Sequence, residues 1–193
     1  LMRLPAPMRF NAILLLPLLG CGFLCKACSL RKRCIEVALK PAYDMMMRNA
    51  FMDMFGLQAP ILQAPIGSAA SVLLAIEAGR GGGMGSLALT WDERDEGLAK
   101  AAQLKAAGLP YFFNFVLRFG TERIAWYLES GVPAVTLSWG IDVPTIAALK
   151  AAGIRVGVQV GNGAGAAAAL AAGPDFLIVQ GVEAGGHVQA SAP

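Results

Sequence analysis

The sequence from Leu57 onward alternates short apolar runs with alanine-rich stretches, and glycine or proline marks most of the joins. Nearly unbroken apolar runs are typical of strands buried on both faces, and a helix after each strand indicates a parallel sheet. The alternation repeats about every 22–25 residues, which favours a TIM (β/α)8 barrel over a doubly wound sheet with longer crossovers. Periodicity alone leaves both of these α/β folds open.

The pattern predicts the position of each strand and of the helices between them. The predicted strands are 61–64, 82–87, 111–117, 134–138, 155–160 and 176–180. The predicted helices are 71–78 (ended by Gly79), 92–107 (ended by Gly108), 121–130, one that begins near Pro144, and 164–172. A complete barrel of this kind usually takes about 250 residues. We therefore interpret the chain as a barrel truncated after about six β-α units.

Residues 1–50 differ in charge from residues 51–193, which we take as the partial barrel. The first fifty carry eight Lys or Arg against two Asp or Glu, net +6, whereas the rest carry eight against eleven, net −3. Binding of nucleic acid requires a basic face on the folded domain, so the negative body argues against that function. We predict a poorly structured N-terminal extension and a cytoplasmic protein. The alternative is export or membrane anchoring through residues 1–26, where basic residues precede an apolar run.

All four cysteines lie in this extension, at Cys21, Cys25, Cys28 and Cys34. The middle pair has C-x-x-C spacing, but the outer spacings are irregular and no histidine lies nearby. Zinc sites built from cysteine usually have two regularly spaced ligand pairs. The sequence therefore predicts no metal site.

Polar side chains lie within or at the ends of several of the predicted strands. They are Gln63, Asn114, Ser138, Gln159 and Gln180. In a TIM barrel the carboxyl ends of the strands surround one shared mouth, where catalysis takes place. Each residue taken singly has a simpler explanation, which is a hydrogen bond to nearby backbone. Their recurrence at equivalent positions indicates a polar site at the mouth.

The segment QGVEAGGH at residues 180–187 contains His187, the only histidine of the chain. Gly185 and Gly186 precede it, and residues without side chains let the backbone approach a bulky flat ligand. An imidazole, with an ordinary pKa of about 6.5, can exchange a proton near neutral pH. We therefore predict that His187 is catalytic. The other glycine run, 81–85, leads into a strand and does not open a helix, so it does not indicate a dinucleotide-binding turn.

Several segments, taken in chain order, resemble the nitronate monooxygenases, formerly called 2-nitropropane dioxygenases. They are QAPIG at 63–67, GGGMG at 81–85, NF at 114–115, SWG at 138–140, QVG at 159–161 and the QGVEAGGH octet. The resemblance covers residues 57–193 and implies a flavin-dependent TIM barrel that binds FMN non-covalently. Such enzymes oxidise alkyl nitronates, and in some members nitroalkanes, with molecular oxygen to carbonyl compounds and nitrite.

The resemblance also implies roles for particular residues. Ala64, Pro65 and Ile66 match the segment that lies against the flavin ring, although the family usually has Met where Ile66 stands. His187 matches the catalytic base, which takes the α-proton of a nitroalkane or holds an anionic nitronate. The remaining cofactor-binding positions are Asn114, Gln159 and Gln180, which contact the ring edge and ribityl chain, and the packed glycines Gly185 and Gly186.

Two alternatives remain at this stage. One is a flavin-dependent enoyl-acyl-carrier-protein reductase, which shares the barrel and a similar E-A-G-G-H segment and uses a reduced nicotinamide cofactor. The other is an inactive fragment that lacks the FMN phosphate site, or a non-catalytic flavin-binding relic. The glycine loops that hold the FMN phosphate in the family have no counterpart in this chain, so we predict that the chain as given binds FMN weakly or not at all. The expected partners are a small nitronate or nitroalkane and oxygen, with no nucleic acid and no membrane, and the oligomeric state stays open.

Overall fold

A parallel sheet of five strands runs through the part of the chain that the structure describes. The computed structural model describes residues 48–186 and 188–190, which belong to one compact unit. Each strand pairs in parallel with the next strand along the chain. This order confirms the α/β class and lacks the reversal that defines a doubly wound sheet. The strands are β1 (Gly85–Ala88), β2 (Tyr111–Val116), β3 (Ala134–Ser138), β4 (Arg155–Val160) and β5 (Phe176–Val179).

Residues 1–47 lie outside the described residues. They include the four cysteines and the export-like segment. The predictions of no metal site and of a poorly structured extension therefore remain predictions. No helix within residues 48–186 and 188–190 combines the length and apolar character that crossing a membrane requires.

The predicted helices agree with the structure to within about two residues, with one exception, and a further helix, Ala50–Phe55, is not predicted by the sequence pattern. The exception is 121–130, where the structure has a 3₁₀ helix, Glu122–Tyr127, and the prediction of an α-helix is wrong. The Thr121 side chain makes no capping hydrogen bond there, and Ile124 and Tyr127, three residues apart, are both buried. A helix with three residues per turn places such a pair on one side. The α-helices are α1 (Ala50–Phe55), α2 (Val72–Arg80), α3 (Arg94–Ala107), α4 (Val143–Ala151) and α5 (Gly163–Ala171), and two shorter 3₁₀ turns are Gly67–Ala69 and Leu117–Phe119.

Side-chain caps begin four of these helices. The side chains of Asn49, Ser71, Asp142 and Asn162 accept a hydrogen bond from the backbone N–H three residues later, which satisfies a donor that the helix leaves unpaired. Gly79, predicted to end α2, lies inside it, and the helix continues to Arg80. An added Cβ on Gly79 would lie 2.8 Å from Leu109 Cβ. This glycine therefore permits close packing of the helix and does not terminate it.

The first predicted strand, 61–64, is reduced to a single parallel bridge between Leu62 and Met84. Met84 N–H donates to Ile61 O and Gln63 N–H donates to Met84 O, both at 2.9 Å. Pro60 and Pro65 flank this segment and have no N–H to extend the ladder. The second predicted strand begins at Gly85, not Gly82. The segment still lies where a strand before β1 would lie.

Four of the α-helices contribute to the core on one face of the sheet. Since successive side chains of a strand point to opposite faces, this helix-covered face receives every second strand residue. These buried residues include Leu87, Phe113, Phe115, Val135, Leu137, Val156 and Val158, together with Ala75, Leu104, Leu149 and Ala169 from α2, α3, α4 and α5.

The other face is covered differently at its two ends. Near the amino ends of the strands, Met52 of α1 packs in a second core cluster with Met84, Phe112 and Ala134. The rings of Phe51 and Phe55 lie 5.1 and 5.8 Å from the ring of Phe176. Helix α1 therefore closes the amino end of this face with apolar side chains. The carboxyl end of the same face is polar.

Asp175, just before β5, links β4 to β5 through a nearly buried carboxylate. It accepts hydrogen bonds from Val156 N–H at 2.8 Å and from Arg155 Nη1 at 3.0 Å. Burial alone would raise the pKa of Asp175, but the Val156 N–H, the Arg155 guanidinium and the nearby Lys150 ammonium lower it below its ordinary value of 3.8. The carboxylate is therefore held in its charged form.

Replacement of Asp175 by Asn is expected to lower the free energy of unfolding at pH 7 by about 1–3 kcal/mol, because charge-assisted hydrogen bonds are lost. A lowered folded-state pKa stabilises above the unfolded-state value, and this contribution disappears as pH falls through the folded-state value. The difference between the two proteins should therefore shrink below about pH 4. Urea unfolding between pH 3 and 7 measures it. A difference that is constant with pH would contradict the assignment.

Candidate functional site

Buried polar side chains occupy the carboxyl end of the face that α1 leaves uncovered. Asn114 and Thr136 pair in register on β2 and β3, and Ser138 lies two residues further along β3. The Asn114 amide donates from Nδ2 to Thr136 Oγ1 at 3.0 Å and to Thr136 O at 3.3 Å. Because both contacts use its nitrogen, Asn114 can offer a ligand only its carbonyl oxygen, which is an acceptor.

Ser138 and Gln159 extend this polar surface toward β4. Ser138 is buried, and its Oγ donates to Phe115 O at 3.3 Å. Gln159 is half-buried, pairs in register with Ile178 of β5, and lies on the same face as Thr136 and Ser138 by strand alternation. The strand pattern therefore places Asn114, Ser138 and Gln159 on one face of the sheet.

Gln63, by contrast, uses its side chain for hydrogen bonds to neighbouring residues. Its Oε1 accepts from Ser86 N–H at 2.9 Å, its backbone oxygen accepts from Ser86 Oγ at 2.8 Å, and its Nε2 donates to Ala64 O at 3.1 Å. These bonds lock the segment before β1 onto the sheet. Beyond them Ala64 is exposed, Pro65 is half-buried and the Ile66 side chain is 54% exposed. The segment after Gln63 therefore presents apolar side chains to its surroundings.

The chain folds back over the ends of β4 and β5 after the glycine loop. Gln180 N–H donates to Val160 O at 2.9 Å, and Gln180 Oε1 accepts from Gln189 N–H at 2.7 Å. An added Cβ on Gly161, the residue after β4, would lie 2.7 Å from the Gln189 carbonyl carbon and from Ala190 N. Residues 188–190, which we call the return segment, thus pass directly across the end of β4.

The glycine loop between Gln180 and the return segment is open. Gly185 and Gly186 are exposed, and an added Cβ on either would meet no atom within 4 Å. Gly186 has φ 75°, a left-handed conformation that favours glycine. His187 lies outside the described residues, so its catalytic role remains a prediction.

Trp139, directly after Ser138, has φ 61° and is the one residue other than glycine with positive φ in the described part of the chain. Non-glycine residues in this region are strained, and such strain clusters at functional sites. Trp91 and Phe119, in the loops after β1 and β2, are 53% and 61% exposed, with ring centroids 5.5 Å apart. Exposed aromatic rings and a strained tryptophan therefore lie in loops that follow the strands.

A charged cluster lies beside a cavity of about 300 Å³ at the end of β1, lined in part by Trp91, Asp92, Glu96 and Lys100. Lys100 Nζ lies 2.8 Å from both Asp92 Oδ2 and Glu96 Oε1. Hydrogen bonds to Asp92 and then Glu96 raise the pKa of Lys100, although burial opposes them. Lys100 stays protonated at neutral pH, so it cannot act there as a general base.

Sequence reasoning missed three contributors to this region. Ser86 and Thr136 are fully buried on the sheet face opposite α2 to α5, and they partner Gln63 and Asn114. The period-two alternation of Thr136 with Ser138 could have identified Thr136. Gln189 is brought to the site only because the chain turns back after the glycine loop, and no local pattern signals that.

Comparison with known proteins finds no matching family model. Among curated proteins, the chain is 28% identical to a nitronate monooxygenase of Pseudomonas aeruginosa over 183 aligned residues, covering 73% of this chain and 52% of that protein. It is 30% identical, over 146 residues, to a hydroxy-methyl-oxo-octahydro-indene-carboxyl-CoA dehydrogenase of Mycobacterium tuberculosis, covering 74% of this chain and 41% of that protein.

Two solved structures share this fold. Nitroalkane oxidase from Streptomyces ansochromogenes superposes with a TM-score of 0.65 at 28% identity, covering 75% of this chain and 52% of that one. FabK from Thermotoga maritima superposes with a TM-score of 0.68 at 26% identity, covering 73% and 46%. The chain spans about half the length of the relatives it matches. It is similar in sequence and fold to oxidoreductases, several of them named for nitronate or nitroalkane oxidation.

Proposed function

We propose that this protein is an FMN-dependent nitronate monooxygenase. The observation that carries the proposal is one surface that combines Asn114, Ser138 and Gln159 at the carboxyl ends of parallel strands. In TIM barrels that end of the sheet holds the active site. The similarity to a nitronate monooxygenase and to a nitroalkane oxidase adds support.

A TIM barrel is the architecture we propose around this site. The support is that five strands follow one another in chain order, with α2 to α5 contributing to the core on one face. Barrels have both properties, since their strands advance in one direction and their helices form an outer ring. The bridged segment at Leu62 would then be the first barrel strand.

The residues present fit a flavin. The open space beside Gly185 and Gly186 suits a flat ring, and exposed Ile66 supplies an apolar contact. The Asn114 carbonyl oxygen could accept from a ring N–H, while Gln159 and the Gln180 side-chain nitrogen could contact the ring edge or ribityl chain. FMN, when bound, supplies the redox chemistry, and the protein orients it and the substrate.

His187 is the residue we propose for proton transfer. In its neutral form the imidazole would take the α-proton of a nitroalkane, which leaves an anionic nitronate next to a cationic imidazolium. The same imidazolium would hold a nitronate supplied from solution. Oxidation with molecular oxygen then yields a carbonyl compound and nitrite.

A second candidate is a flavin-dependent reductase or dehydrogenase of thioester substrates. The similarity to FabK, an enoyl-acyl-carrier-protein reductase, and to the CoA dehydrogenase favours it. Such an enzyme would exchange electrons with a nicotinamide cofactor or an acyl thioester. The exposed Trp91 and Phe119 would then contact the acyl group.

Substrate assays with added FMN separate these functions. The proposal predicts oxygen uptake and nitrite release with an alkyl nitronate, and no oxidation of NADH or NADPH with an enoyl thioester. The opposite pattern would replace the proposed function with the second candidate. Absence of both activities in a chain that binds FMN would point to an inactive flavin-binding protein.

A further inference from the structure

The return segment supplies Gln189, a residue that lies outside the QGVEAGGH motif. Gln189 N–H donates to Gln180 Oε1 at 2.7 Å, and the peptide after Gln189 passes over Gly161. Gln189 is thus held by its backbone above the carboxyl ends of β4 and β5. Gln159 lies one residue before the end of β4 and Gln180 directly follows β5, and both are predicted flavin contacts.

The side chain of Gln189 ends in an unsatisfied donor. Its Nε2 is buried and has no hydrogen-bond partner among the described residues. Buried polar groups in folded proteins are almost always hydrogen-bonded, because an unmade bond leaves the desolvation cost uncompensated. An amide nitrogen donates only, so the group that would satisfy it must carry an acceptor.

We propose that Gln189 is a further cofactor-binding residue, and that its Nε2 donates a hydrogen bond to an acceptor oxygen of FMN. The inference rests on the proposed function. Carbonyl, hydroxyl and phosphate oxygens make FMN rich in acceptors. A nitronate oxygen is also an acceptor, so the test uses FMN without substrate.

With Gln189 at the site, Gln180 has a second role besides contact with the cofactor. Its Oε1 is engaged by the Gln189 backbone, so Gln180 holds the return segment with its oxygen and has its nitrogen to offer the cofactor. Gln180 is in this sense a positioning residue for Gln189. The two glutamines would act as a pair of donors on one side of the cofactor.

The test compares Gln189→Met, which keeps the length of the side chain but removes the donor, with Gln189→Glu, which replaces the donor by an acceptor. The control is Gln103→Met, on the exposed surface of α3. The dissociation constant for FMN is measured by absorption and fluorescence titration, and the melting temperature is measured without FMN. Both readouts are independent of turnover.

We expect Gln189→Met to weaken FMN binding about tenfold and Gln189→Glu at least as much, while Gln103→Met leaves it unchanged. Without FMN, the melting temperature of Gln189→Met should not fall, because the substitution removes an unsatisfied donor. Equal FMN affinity of Gln189→Met and the unsubstituted chain would overturn the role of Gln189 and leave the proposed function standing. A lower melting temperature without FMN would assign Gln189 a structural role instead. Failure of the unsubstituted chain to bind FMN would overturn both proposals.

Discussion

Replacing His187 with Asn is expected to lower the turnover of a neutral nitroalkane by about 10²–10⁴-fold, the usual contribution of general acid–base catalysis. Asn keeps a polar side chain of similar width but cannot accept the α-proton at neutral pH. The bound FMN should be unaffected, so its absorption spectrum controls for an intact site. Initial rates of oxygen uptake measure the effect.

A preformed nitronate provides the matched control substrate. It has already lost the α-proton, so the base is not needed and the same variant should lose much less activity. If His187→Asn lowered both rates equally, proton abstraction would not be the role of His187. If neither rate changed, His187 would not be catalytic.

Replacing Gly85 with Ala is expected to lower the free energy of unfolding by about 2–4 kcal/mol. An added Cβ at Gly85, the first residue of β1, would overlap the carbonyl oxygen of Ala75 and lie 2.7 Å from Ala75 Cα. These are backbone atoms of α2, so no side-chain rotation can relieve the contact. The strand would have to move away from the helix.

Replacing Gly163 with Ala should instead raise the free energy of unfolding. Gly163 begins α5, and an added Cβ there would meet no atom within 4 Å. Ala at a compatible helical position stabilises by about 0.4–1 kcal/mol, mainly by restricting the unfolded chain. Urea unfolding of both variants measures the contrast. Similar stabilities of Gly85→Ala and Gly163→Ala would show that β1 and α2 are not in close contact.

The sequence predicts well those elements whose bounds depend only on local residues. Strands β3 and β4 begin and end where predicted, at 134–138 and 155–160, because each apolar run is bounded by turn residues. The apolar pattern predicts a full strand at 61–64, but the prolines beside it leave a single bridge. The sequence also predicts that Gly79 ends a helix, but glycine is needed there because an added Cβ would lie 2.8 Å from Leu109 Cβ, a contact that local sequence does not reveal.

In the candidate site, too, some residue positions follow from the local pattern and others depend on tertiary contacts. Strand alternation was enough to bring Asn114, Ser138 and Gln159 onto one surface. Gln63 had the same sequence signal, yet its side chain is bonded to Ser86 and Ala64, which depends on a neighbouring strand. Gln189 depends on the path of the chain after the glycine loop. Tertiary contacts of this kind have no local pattern from which to predict them.

A flavin bound at the carboxyl end of the sheet face opposite α2 to α5 should slow amide hydrogen exchange in that region. Exchange of the chain is compared with and without saturating FMN. We expect slower exchange at residues 180–190 and at the carboxyl ends of β2 and β4, with no change in α1 at the amino end. Protection confined to α1, or no protection anywhere at saturating FMN, would show that a flavin does not bind there.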